Sequence, residues 1–146
     1  MLRTKLATAL TALFVFALPA VAQAGKIEHR GTVTGVPGTE IKFTLQKRGG
    51  ELKRINHMAF RDIPYTCDQG PGGAIDADLP SFRISGNDFT RKVILEGPGI
   101  DTGSLRVAGQ FSRGGNRASG QVRFSFKQPS GAKCGTDDVG WKTRRR

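Results

Sequence analysis

The chain has 146 residues, of which 37% are hydrophobic, and 23 basic side chains against 12 acidic ones give a formal charge of +11. That length suits one domain around a single core and leaves no room for a second large one. The cationic excess draws nucleic acid, anionic lipid or acidic polymers over long range without selecting among them.

The first stretch, MLRTKLATALTALFVFALPAVAQA, places Arg3 and Lys5 ahead of an apolar run from Leu6 to Leu18, then Pro19 and the small-residue exit Ala22-Gln23-Ala24. This is the order of a secretory signal peptide, so residues 1–24 are expected to form an N-terminal signal helix that is removed after Ala24. The apolar run is shorter than the ~20 residues of a bilayer span. No second hydrophobic segment follows, so no membrane span is expected after cleavage. Residues 25–146 are then a single secreted domain, extracellular or in the cell envelope, with a formal charge of about +9 once Arg3 and Lys5 are gone. We expect a monomer.

Beyond the leader, apolar residues recur at every second position and glycines are scattered, the pattern of short antiparallel strands. In EIKFTLQ, Ile41, Phe43 and Leu45 share one face, and Lys47 to Gly50 supply a turn. ELKRINHMAF breaks the alternation: Leu52, Ile55, Met58 and Phe60 fit either a bent strand or one helical turn. IPYTC aligns Ile63, Tyr65 and Cys67 on one face, toward the core, and Pro64 marks a sheet edge or a strand start. Asp68 to Asp78 reads as a long turn-rich loop, and SFRIS and DFTRKVIL are strands reversed at Gly86-Asn87.

The clearest element is SLRVAGQFSRGGNRASGQVRFSF, a hairpin that reverses over Ser112 to Ser119. Gly109 and Gly120 leave spaces for cross-strand phenylalanines. Arg106, Arg123 and Lys127 fall on its outward face. If Phe111 pairs with Val122, Arg106 lies opposite Lys127. Cys67 and Cys134 form an even pair in an exported chain and are read as one disulfide, here an inter-sheet bridge. Closing a loop of about 70 residues contributes about 4 kcal/mol on the chain-entropy model. In the closing stretch Lys133 to Arg146, Thr136 to Asp138 turn the chain, Trp141 covers the core beside the bridge, and the three arginines are a frayed tail. The fold class is all-β, an antiparallel β-sandwich with barrel-like closure as its variant.

The chain resembles a group of small secreted bacterial two-cysteine β-sandwich proteins of uncharacterised function. The resemblance is carried by Val107-Ala108-Gly109-Gln110-Phe111, by Ala118-Ser119-Gly120, and by Cys134-Gly135-Thr136 running on to Trp141. Asp137 stands where that group has glycine, and Thr143 where it has alanine. The resemblance implies export and a β fold and brings no catalytic residue with it.

For chemistry, His29 and His57 are the two available bases, and neither lies in a nucleophile or zinc motif. A lone exposed or half-packed histidine is the simpler reading. Asp76, Asp78, Asp137 and Asp138 fall in expected turns, and no complete calcium loop is present. No catalytic residue, metal or cofactor is therefore expected. Nucleic acid is not expected either, because the strands show no outward aromatic for base stacking. The function read from the sequence is a secreted or wall-associated, non-enzymatic binding or structural module. Its cationic face, Arg106, Arg123 and Lys127, suits acidic glycans or wall polymers. The alternative is a small extracellular hydrolase acting on envelope carbohydrate, with His57 meeting a distant serine and carboxylate. A third reading makes basicity a matter of solubility alone.

Overall fold

The computed structural model describes residues 25–146, and the expected signal segment 1–24 lies outside the described residues. Among the described residues there are ten strands: β1 (Gly25–Val33), β2 (Glu40–Arg48), β3 (Glu51–Cys67), β4 (Gly73–Leu79), β5 (Phe82–Arg83), β6 (Asp88–Ile94), β7 (Thr102–Phe111), β8 (Arg117–Lys127), β9 (Lys133–Gly135) and β10 (Val139–Arg145). All named pairings are antiparallel, and the order β10-β1-β2-β3-β9-β8 closes on itself because β10 also pairs with β8. The sheet is thus a six-stranded barrel, with β7 and β6 continuing from β8 and with β4 and β5 on β3. Its core draws on the added strands as well as the ring: Phe43, Leu45, Phe60, Leu79, Phe82, Phe89, Leu105, Phe124 and Trp141 pack in one cluster.

The segment that broke the alternation is the long strand β3. Its large buried residues Leu52, Ile55, Met58, Phe60 and Ile63 step by three, three, two and three. Each step of three coincides with an irregularity in pairing: Leu52 and Arg54 face Lys47 and Gln46, Ile55 and Met58 face Leu45 and Phe43, and Phe60 and Ile63 face Ala77 and Ile75. A bulge adds a residue, bends the strand and increases its twist, so a helix-like spacing here records three bulges. Two of them hold the non-glycine residues with positive φ, His57 at 72° and Asp62 at 55°. Histidine and aspartate enter that region more readily than most side chains. Pro64 sits within β3, past Arg61, where the pairing with β2 ends.

Several expectations need correction. Asp68 to Asp78 is not a continuous loop: Gly73–Leu79 is β4, with Ala77 and Leu79 buried. Its outward aspartates are satisfied locally, Asp78 by the Arg61 guanidinium at 2.7 Å and Asp76 by the Asp62 amide at 2.9 Å. The β7–β8 reversal is shorter than expected, because Arg117 to Ser119 already belong to β8. Phe111 therefore pairs with Ala118, and Arg106 pairs with Arg123 rather than Lys127, which faces Thr102. The three terminal arginines are not frayed: Arg144 and Arg145 belong to β10, and the Arg146 amide donates to the Glu28 carbonyl at 3.0 Å.

The bridge Cys67–Cys134 is present, with Cα atoms 4.0 Å apart. It joins directly paired residues of β3 and β9 within the sheet, and so is cross-strand rather than inter-sheet. Trp141 is buried but does not lie beside it. The bridge belongs to a small cluster with Phe126, Ala132 and Tyr65, whereas Trp141 meets Phe43 and Phe89 in the main core.

Gly109 and Gly120 face each other across β7 and β8. A Cβ on Gly109 would come within 2.5 Å of the Phe89 ring and 2.7 Å of the Trp141 indole. A cross-strand phenylalanine does cover that glycine, as expected. Over Gly120 the partner is Trp141, paired with it from β10, and a Cβ there would meet the Ala108 carbonyl at 1.9 Å. We expect Gly109→Ala to destabilise the fold by about 1–3 kcal/mol through overpacking, and reduction of the bridge to remove about 4 kcal/mol. Urea denaturation of the variant, and of the parent with and without reductant, measures both.

Candidate functional site

The outward faces of β6, β7 and β8 bring basic residues into a row. Lys92 pairs with Arg106, and Arg106 with Arg123, on three adjacent strands about 4.8 Å apart. With Thr90, Ser104 and Ser125 they line a shallow cleft of about 340 Å³. Asp138, in the β9–β10 connection, reaches Arg123 at 2.9 Å. Among the described residues Arg106 and Lys92 have no acidic partner within ion-pair distance. Like charges on directly paired positions repel.

Of the three sequence-predicted residues, the fold brings Arg106 and Arg123 together and leaves Lys127 four residues along β8, about 13 Å away. Lys127 pairs instead with Lys133 on β9 and lines a separate cleft with it. Lys92 was missed because its neighbours are set by the β6–β7 pairing.

A second basic row was also missed. Lys42 pairs with Arg30, Arg30 with Arg144, and Arg144 with Arg117, which carries the row over β2, β1, β10 and β8. Glu28 balances one end, at 2.9 Å from Arg30 and 3.9 Å from Lys42. The Arg30 guanidinium beside it holds the Glu28 carboxyl below the usual carboxylate range. Arg144 and Arg117 have no acidic partner among the described residues and line the largest of the clefts described, about 650 Å³. Arg117 shares the parity of Arg123 and Lys127, so continuing the alternation backwards would have found it. Arg30 and Arg144 meet only through barrel closure.

The histidines play different parts. His57 is 65% exposed, and its Nε2 lies 3.0 Å from Asp78 Oδ1, the oxygen that also accepts from Arg61. Neither His57 nor Asp78 lines any of the three clefts described above. This trio joins β3 to β4 at the bulges. His29 is fully buried, which corrects the expectation of an exposed or half-packed residue. It stacks on Phe43 with centroids 4.7 Å apart. Its Nε2 donates to the Gly115 carbonyl at 2.7 Å, and in this neutral tautomer Nδ1 accepts from the Thr143 hydroxyl at 3.1 Å. Among the described residues no group of three His, Cys, Asp or Glu side chains gathers to hold a metal ion.

Compared with family models, curated proteins and solved structures, the chain matches none.

Burial lowers the pKa of His29 below its ordinary 6.5, against the pull of the Gly115 carbonyl and with help from the Arg145 charge. The unfolded chain therefore binds more protons than the native one just below pH 6.5. Stability should fall as pH drops from about 6.5 toward the lower native pKa. His29→Gln should remove that segment of the curve while costing about 1–3 kcal/mol at neutral pH. Denaturation midpoints measured between neutral pH and the onset of carboxylate titration test both effects.

Proposed function

We propose that the protein is an exported, non-enzymatic binding module whose outer cationic face holds acidic glycans or cell-wall polymers. The observation that carries this reading is the Lys92–Arg106–Arg123 row, three cations side by side on a sheet with Asp138 as the counter-charge among the described residues. Arginine's planar fork matches carboxylate and sulfate oxygens in pairs, and the nearby Ser104 and Ser125 hydroxyls suit sugar hydroxyls. The large hydrophobic side chain exposed among the described residues is aliphatic, Ile94, which gives nucleobases no stacking platform. A disulfide between paired strands suits an oxidising compartment, in keeping with export and with the resemblance to small secreted β proteins.

The proposal is tested by calorimetric titration with polygalacturonate at rising salt. Binding should weaken steeply as the screening length shrinks below about 8 Å. The double variant Arg106→Gln/Arg123→Gln should lower affinity about tenfold at low salt, about 1.4 kcal/mol for two exposed charges. Salt-insensitive retention, or an unchanged affinity in the variant, would count against the row as the site. Intact mass of the exported protein should show a mature chain beginning at Gly25.

A further inference from the structure

The two basic rows share one strand. Along β8 the outward positions read Arg117, Ser119, Gln121, Arg123, Ser125 and Lys127, all exposed, while Ala118, Val122, Phe124 and Phe126 face inward. From Arg117 to Lys127 the strand extends over about 33 Å. At its start it meets the arginines of β10 and β1, at Arg123 it meets Arg106 and Lys92, and at its end it meets Lys133.

We propose that β8 is the floor of one continuous track for a linear acidic polysaccharide, gripped at one end by Arg30, Arg117 and Arg144 and further along by Arg106, Arg123 and Lys127. The proposal rests on the reading of the protein as a binder of acidic glycans and specifies that one polymer chain engages both rows.

Three observations favour this occupant. First, the cations do not converge on a point as they would around a single small anion. They are spread along a strand, with hydroxyl and amide side chains between them at Ser119, Gln121 and Ser125. That alternation of charge and neutral hydrogen-bonding group is what a chain of sugar acids presents in return. Second, β8 is paired along one edge with β7 and along the other with β10 and β9, so its backbone has no free edge for strand addition. An acidic peptide could not add here as a new strand, and only side chains are available to a ligand. Third, the cleft at the Arg117 end, about 650 Å³ and bounded by Gln110, Ser112 and Ser119 as well as the arginines, gives a depression in which the first units can seat. The positions are fixed by the barrel, so little ordering is needed on the protein side.

The consequence is multivalency: a chain long enough to reach both rows makes its second contact intramolecularly, which raises affinity about 10²–10⁴-fold over chains that reach one. The experiment titrates the protein with galacturonic acid oligomers of increasing length at low salt, alongside Arg117→Gln/Arg144→Gln and Arg106→Gln/Arg123→Gln, with polyglutamate of matched charge as a control. Short oligomers should bind weakly. Affinity should then rise at least a hundredfold once the chain spans the rows, and either double variant should return long chains to the short-oligomer level without lowering the melting temperature. If long chains bind no tighter than short ones, or only one pair of arginines matters, the track is wrong and the single-row binder stands. If no oligomer binds at any length, the binding reading itself fails. If polyglutamate binds as tightly as the long saccharide, the surface is a general polyanion acceptor and the assignment to sugars is overturned.

Discussion

The structure depends on the double pairing of β10. Seven residues near the chain end, Val139–Arg145, insert between β1 and β8 and pair with both, turning an open sheet into a ring. An open sheet would leave rows of unpaired backbone groups on β1 and β8, which is a cost in both stability and solubility. Closure also places Trp141 where its indole can reach Phe43 and Phe89, and sets Thr143 against the buried His29. The core, the one fully buried imidazole and the arginine-lined cleft therefore share a seam.

That seam is built by leaving side chains out. Trp141 pairs with Gly120, whose partner across β8 and β7 is Gly109, and the indole and the Phe89 ring occupy the volume that a Cβ on Gly109 would have taken. The backbone there is packed so closely that the Ala108 carbonyl alone excludes a side chain at Gly120. A large aromatic set against Gly109 fits only where β7 carries a glycine, since another register would drive it into a Cβ. Tolerance of the strand irregularities elsewhere follows from this. The bulges of β3 bend a long strand around the barrel, and the register that must not slip is held at β8 and β10 instead.

What could be read from sequence was local. Period-two alternation identified β2, β7 and β8 and put Arg106, Arg123 and Lys127 on the correct face, because a strand's inside and outside are fixed by its own residues. It failed wherever pairing decided the outcome. Leu52, Ile55, Met58 and Phe60 left a bent strand and a helical turn equally open because bulges add residues that no single strand announces. Asp76 and Asp78 looked like turn residues because their partners, the Asp62 amide and Arg61, lie on β3. The register of Arg106 was displaced by counting Arg117 to Ser119 into the turn. The arginines at the chain end looked like a tail because nothing near them in sequence says that β1 and β8 are waiting on either side. The disulfide was legible as a pair, but its placement across neighbouring strands was not.

The same seam is where charge opposes folding. Arg30, Arg144 and Arg117 are placed opposite one another by the very pairings that close the barrel, and among them Glu28 offsets Arg30 alone. Exposed like charges cost each contact a few tenths of a kcal/mol, a cost that a solubility role would meet more cheaply with dispersed lysines. Their arrangement in a row is the feature that a merely basic surface does not explain. Under the proposed reading, an anionic chain laid across the row removes repulsion between three strands at once and joins β1, β10 and β8 from outside. Under that same reading, a ligand that binds only the closed form would stabilise it by mass action, so binding at the cleft would be thermodynamically linked to closure of the barrel by β10.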